Sequence, residues 1–301
     1  MNFIKKKPSD YVLDTIVYGL IIILCILVIY PLLNALAISL NDANDTTRGG
    51  LTIYPRIFTM KNYVQIMQNK LITSAYAVTI GRTIVGTLLG LYFTGALAFG
   101  LIHSELKFRR FYTMLCVVTM YFSGGLIPTY FLIRNLHLIN SFWVYIIPSL
   151  VNVFNMILMR SFFQSIPIAL EESARIDGAS YIKVFFRIML PVSKPIIATM
   201  ALFIGVMHWN DWFTPFIYVD KSNLKPMQSV LMQIVGQASF AQRIAAMGGG
   251  QFTSNLNRGN TVNVRSITMA TMYVTIIPIV LVYPFLQRFF IKGIMIGSIK
   301  G

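Results

Sequence analysis

The sequence predicts an all-α membrane protein with six membrane-spanning helices. Three observations predict it. First, 56% of the 301 residues are hydrophobic and only 12% are charged, about half the charge of a soluble domain, and the mean hydropathy is +0.67. Charge is costly inside a bilayer, so its depletion points to lipid as the solvent. Second, the apolar residues gather into runs of about 20, the length a helix needs to cross the hydrocarbon core. Third, the runs lack the period-two alternation of a transmembrane β-barrel, which leaves helices as the way to satisfy the backbone in lipid.

The first span is expected from Thr15 to Leu40. The lysines at 5, 6 and 7 before it resemble the start of a signal peptide, but the run is too long for an h-region and lacks a small-residue cleavage site, so it reads as a retained helix. The second span is expected from Thr73 to Ile102, the third from Phe111 to Ile133, the fourth from Phe142 to Met159, the fifth from Ile196 to Val219 and the sixth from Ser266 to Leu286. Arg82 and Asp211 are the only charges inside these runs. Residues 1–14 then form an N-terminal segment, 15–291 a transmembrane domain and 292–301 a tail.

Six spans put both termini on one side, and lysine and arginine choose which. With the termini inside, the inner segments carry fourteen basic residues and the outer segments ten, a bias clearest in the short segments, where the positive-inside rule applies best. The net charge of +15 is spread in short clusters between apolar runs. That suits loops facing anionic headgroups rather than a nucleic-acid surface. Two long outer loops are expected, Asn41 to Ile72 and Asp220 to Arg265; Gly248-Gly249-Gly250 and several Asn and Ser residues mark the second as mobile.

The inner segment 160–195 is not loop-like. Pro167 suits a first helical turn, Ala169 to Asp177 reads as a short helix, and Gly178 fits the left-handed position that ends one. A second short helix is expected from Ser180 to Ile188, stopped by Pro191.

Catalytic chemistry has little to stand on. The glycine run at 248–250 lacks the Lys-Ser/Thr of a phosphate-binding loop. His103, His137 and His208 have no metal-ligand spacing, and no carboxylate pair is placed for acid–base work. Cys25 and Cys116 sit in apolar runs as small hydrophobes. No catalytic residue and no metal site is expected.

The informative residues are Glu172-Ser173-Ala174, then three residues, Gly178, nine residues, and Ile188-Met189-Leu190-Pro191. This resembles the signature EAA-x3-G-x9-I-x-L-P of the permease subunits of binding-protein-dependent ABC importers, with Ser173 the one departure. The tail from Lys292 through Gly297, Ser298, Ile299 and Lys300 to Gly301, preceded by Tyr283-Pro284-Phe285, is similar to that of the second permease of maltose-type carbohydrate importers. The run Ser123-Gly124-Gly125-Leu126-Ile127-Pro128-Thr129-Tyr130 resembles a subgroup associated with oligosaccharide and polysaccharide-fragment uptake.

The resemblance implies a type I ABC importer permease fold with a cytoplasmic coupling helix. It implies a multi-pass protein of the bacterial cytoplasmic (inner) membrane, no enzyme, whose ATP and magnesium belong to a separate ATPase, so that no cofactor sits in this chain. The implied partners are a second homologous permease, two ATPase subunits, an extracellular or periplasmic solute-binding protein, membrane lipid and a carbohydrate. Residues Glu172, Ser173, Ala174, Asp177, Gly178, Ala179, Ile188, Leu190 and Pro191 would couple to the ATPase, and Gly297 to Gly301 would reach into it. A peptide or amino-acid cargo is the alternative within this family, and an ion-coupled secondary transporter the alternative outside it, disfavoured by the single intramembrane acid.

Trp209-Asn210-Asp211-Trp212 offers aromatic faces, an amide and a carboxylate of the kind that bind sugars. An interfacial aromatic belt with a structural carboxylate explains the same residues equally well. Tyr121, Tyr130, Asn152 and Asn155 are further candidates for a polar path, with helix–helix hydrogen bonding the plainer reading. Arg82 either snorkels or pairs with a carboxylate such as Asp211.

Overall fold

The computed structural model describes residues 8–246 and 264–297; among them the regular elements are helical, apart from one isolated antiparallel bridge between Asn41 and Phe58. Lys5 to Lys7, Gly248 to Gly250 and Ser298 to Gly301 lie outside the described residues. The chain divides into two compact units, residues 1–69 with 233–275, and residues 70–232 with 276–301.

In the first unit, α1 (Pro8–Ser39) exposes apolar side chains on every side from Tyr11 to Leu33, as suits a helix surrounded by lipid or by another membrane subunit. Pro31 sits inside it without ending it. The next segment, expected as a loop, folds around Asn41 and carries α2 (Ala43–Thr46) and α3 (Lys61–Gln68). The Asn41 amide donates to Asp45 Oδ2 at 2.9 Å and accepts from the Ile57 N–H at 2.9 Å. Arg56 Nε donates to the same Asp45 oxygen at 2.9 Å, and the Asn62 amide donates to the carbonyls of Ser39 and Asn41. The hydrogen bond from Asn41, followed by that from Arg56, holds the Asp45 carboxyl below its ordinary range.

The second unit is organised by α4 (Lys70–Gly100). Its buried positions Ala75, Thr79, Arg82, Gly86, Gly90, Thr94 and Ala98 recur every three or four residues and form one face. Most are small, which lets the next helices approach closely, as membrane helices do where no hydrophobic drive separates lipid from protein. Chain order continues with α5 (Arg109–Tyr121), α6 (Leu126–Asn135), two 3-10 turns at Phe142–Tyr145 and Ile147–Ser149, and α7 (Val153–Gln164). Then come α8 (Ala169–Ile176), α9 (Tyr181–Val184), a wider π segment at Phe185–Met189, α10 (Leu190–Val192), α11 (Lys194–Asn210) and α12 (Phe213–Tyr218), followed by α13 (Met227–Ala246) and α14 (Val264–Gly297). A β-carbon at Gly86 would run into the His208 imidazole of α11, and one at Gly90 would stand 3.3 Å from Ile204. One core cluster lies where α4, α7 and the π segment meet, around Phe99, Met156, Met159, Phe163, Phe185 and Met200.

Three spans are unbroken helices, Tyr11–Ser39, Lys70–Gly100 and Val264–Pro284. Three bent pairs bring the number of candidate spans among the described residues to six when each pair is counted as one span. The expected third span is α5 and α6 meeting at 115°. The corner is Phe122 to Gly125, where Gly125 has φ +85°, a conformation that glycine adopts without strain. The fourth joins the 3-10 turns to α7 at 49°. The fifth enters from the α9–α10 region at 88° around Ser193.

Three expectations are corrected. The fifth span does not run as one helix to Val219: α11 ends at Asn210, and Asp211 accepts hydrogen bonds from the Phe213 and Thr214 N–H groups, starting α12. Pro191 does not stop the helix before it. The π segment shifts the backbone hydrogen-bonding pattern, and Pro191 lies inside α10, so the chain stays helical to Val192. Finally, the expected outer loop 220–265 contains the 20-residue helix α13. Its buried Met227 and Val230 are three apart, a helical spacing that the loop-like composition further along obscured.

Candidate coupling element and intramembrane ion pair

The signature residues form a helical elbow. Glu171 and Glu172 lie in the first turn of α8, where carboxylates favour the helix dipole, and Arg175 lies in the last. Gly178 has φ +77° and closes the helix with a paired cap: its N–H donates to the Arg175 carbonyl at 3.0 Å, and the Ala179 N–H donates to the Ala174 carbonyl at 2.9 Å. The Ser180 hydroxyl then accepts from the Lys183 N–H and caps α9.

The motif divides by chemistry. Ala174, Ala179, Ile188 and Leu190 pack against the chain's own core cluster. Glu172, Ser173, Asp177 and Pro191 are exposed. Beside them Ile176 is 87% exposed, Ile182 72% and Ile168 69%, an unusual amount of aliphatic surface for an elbow this small. It is what a groove in another protein would cover.

Residues that the sequence reading set aside hold this elbow to α4. His103, three residues beyond α4, directs Nε2 to Glu171 Oε1 at 2.7 Å and Nδ1 to the Phe99 carbonyl at 2.9 Å. Arg175 lies over the Tyr181 ring at 4.3 Å, and the Tyr181 hydroxyl donates to Glu105 at 2.9 Å. The sequence signal was present: His103 ends an apolar span and carboxylates lie in the inner segment. Metal spacing was the wrong test for it.

Within the spans, Arg82 is the fixed point. Only 1% of its side chain is exposed; it reaches Asp211 Oδ2 at 2.6 Å and the Asp211 carbonyl at 3.1 Å, and stacks over the Tyr145 ring at 4.3 Å. Pairing, not snorkelling, therefore describes Arg82. The Asp211 carboxylate is fully engaged by Arg82 and the start of α12.

The other candidate path residues are dispersed. Trp209 lines a cavity of about 370 Å³ between α4, α11 and α14, beside Thr83, Thr87 and Gly205. The Thr83 and Thr87 hydroxyls are buried without a hydrogen-bond partner among the described residues. Asn210 accepts from Gln228 at 3.0 Å, and Trp212 is partly exposed with its ring edge-on to Phe213 and Phe216. Tyr130 stacks on Tyr218, and Tyr121 is exposed at the last position of α5, before the corner. Asn152 caps α7 by accepting from the N–H of Asn155, which is buried. Gly297 is the last described residue.

Straight and bent apolar helices, a glycine-lined packing face on α4, and an elbow offering aliphatic side chains outward are the features of a membrane permease. The chain belongs to the family of binding-protein-dependent transport system inner membrane components, which it matches over residues 51–215. It is 35% identical over 288 residues to the polygalacturonan/rhamnogalacturonan transport system permease protein YtcP of Bacillus subtilis (strain 168), covering 96% of this chain and 98% of that one. It is 38% identical over 273 residues to Protein LplC of the same organism, covering 91% and 90%. Among solved structures it is similar to a bacterial ABC transporter involved in the import of the acidic polysaccharide alginate, with a TM-score of 0.84 and 26% identity over 96% of this chain and 100% of that chain. Family membership makes the chain a multi-pass transport subunit of the inner membrane and not an enzyme, as the sequence predicted.

Proposed function

We propose that this chain imports an oligosaccharide, delivered by a solute-binding protein, as one of two permeases driven by a pair of separate ATPase subunits that hold the ATP and magnesium. The observation that carries the reading is the elbow at 160–195. Its inward residues anchor it to the core, while Ile168, Ile176 and Ile182 stand out beside Glu172, Ser173 and Asp177. Such a surface fits a groove in an ATPase. Both termini and this elbow are assigned to the cytoplasmic side, supported by the distribution of basic residues. The domain bounds 15–291, with 160–195 as coupling loop and 292–301 as ATPase-contacting tail, belong to the same proposal.

The cargo class rests on the relatives whose names specify polygalacturonan/rhamnogalacturonan and alginate. Within this chain, Trp209 offers an aromatic face of the kind that stacks on a sugar ring, at the wall of a largely apolar cavity beside the buried hydroxyls of Thr83 and Thr87. Asn210, Trp212, Tyr121 and Tyr130 extend the proposed path, and Asn155 lies deeper. Asp211 and Asn152 serve the path by fixing the ends of the helices that line it.

The test is uptake of a labelled galacturonate oligosaccharide into proteoliposomes containing the whole complex. Trp209→Ala and Trp212→Ala should each reduce uptake while assembly is unchanged. Full uptake in both variants would return these tryptophans to an interfacial belt.

A further inference from the structure

The coupling reading leaves open what carries movement of the elbow into the spans. We propose that His103 is a positioning residue for energy coupling, the pin through which α8 moves α4. The proposal rests on the reading of 160–195 as the coupling loop.

The ring is held by two aromatic contacts and by both of its nitrogens. Phe99 of α4 meets it edge-on at 4.7 Å, and Tyr181 of α9 meets it edge-on at 5.0 Å. One nitrogen is bound by the α4 carbonyl of Phe99 and the other by the α8 carboxylate of Glu171. The pair is sheltered, with side chains 17% and 12% exposed. Nothing comparable is available to the second tether, since Glu105 and Arg175 are 72% and 43% exposed and 3.7 Å apart, a range at which exposed ion pairs contribute little. Nearer its middle, α4 carries Arg82, bound to the joint between α11 and α12. From Arg82 to the end of α4 is a rigid rod of about 27 Å at the helical rise per residue. A shift of α8 therefore reaches α4 through His103, and reaches the α11–α12 joint through Arg82.

The pin depends on a proton. The Phe99 carbonyl can only accept, so Nδ1 must donate, and an ionised Glu171 can only accept, so Nε2 must donate as well. If Glu171 instead carries the proton, it donates to Nε2. Either way the pair holds one proton more than a neutral imidazole facing a carboxylate. Removing it sets a lone pair against an acceptor at one of the two contacts. The other titratable or charged groups facing the ring are Glu105 beyond α4, Glu172 and Arg175 on α8, and Tyr181 on α9.

The experiment uses the full complex, with both permeases and the ATPase pair, in lipid nanodiscs. Spin labels at exposed Ile127 of α6 and Phe216 of α12 report the distance change caused by ATP with vanadate, so no cargo is needed. His103→Ala and Glu171→Ala should each lose that change while the ATPase remains bound and hydrolyses ATP. The exchanged pair His103→Glu with Glu171→His should restore it. A full distance change in His103→Ala, or loss of the ATPase from it, would overturn the proposal. Absence of any change in the wild type would instead overturn the coupling reading beneath it.

Discussion

Two glycines separate two physical roles. Gly178 sits at φ +77° with no atom within 4 Å of where a β-carbon would go. Gly178→Ala should therefore cost only the left-handed strain of about 1–2 kcal/mol, weakening the elbow without disturbing the bundle. Gly86 is the opposite case, since its β-carbon would overlap the His208 imidazole. Gly86→Ala should lower the melting temperature of the purified complex through overpacking worth about 1–3 kcal/mol. Adding His208→Ala should recover part of that loss, and additive losses would show that the two sites do not touch.

The pair Arg82–Asp211 belongs to the same scale. Removing one partner of a buried pair strands the other, at about 3–5 kcal/mol. Arg82→Met should thus destabilise the complex more than Arg82→Met combined with Asp211→Asn, read as melting temperatures in detergent. On the outer segment, Asp45 has a depressed folded-state pKa. Its contribution to stability is present above the ordinary carboxylate value of about 3.9 and is lost as pH falls through the lower folded value. Proteolysis within 41–72 should accelerate only in that acidic range, and Asp45→Asn should abolish the dependence.

At the scale of elements, hydropathy located the apolar segments and missed where they break. Gly124-Gly125 was legible as a motif and not as a corner, because apolar residues continue on both sides of the 115° bend. Asp211 was legible as an oddity inside an apolar run, yet its capping of α12 and its pairing with Arg82 join positions 129 residues apart. No local pattern reports that pairing. The elbow fared better because its signals are local: a glycine at the left-handed cap, and small residues at Ala174 and Ala179 that pack against the core. His103 escaped because its partner lies 68 residues away. The division of the elbow also makes a prediction. Ile176→Asp should abolish retention of the ATPase and leave membrane insertion intact, because Ile176 is 87% exposed and touches none of the core cluster.

At the scale of the whole molecule, the apolar sides of α1 require cover from lipid or from a second permease. The elbow likewise leaves Ile168, Ile176 and Ile182 exposed, the surface that the proposed ATPase contact would cover. The central claim is that this elbow transmits the ATPase's work. Its most direct test measures ATPase co-purification and oligosaccharide-stimulated ATP hydrolysis in proteoliposomes for Gly178→Asp and Glu172→Lys, with membrane insertion measured alongside. The account predicts that both variants insert and pair with the second permease, and that each loses either the ATPase or the stimulation of hydrolysis by cargo. Variants that insert, keep the ATPase and transport at the original rate would contradict it.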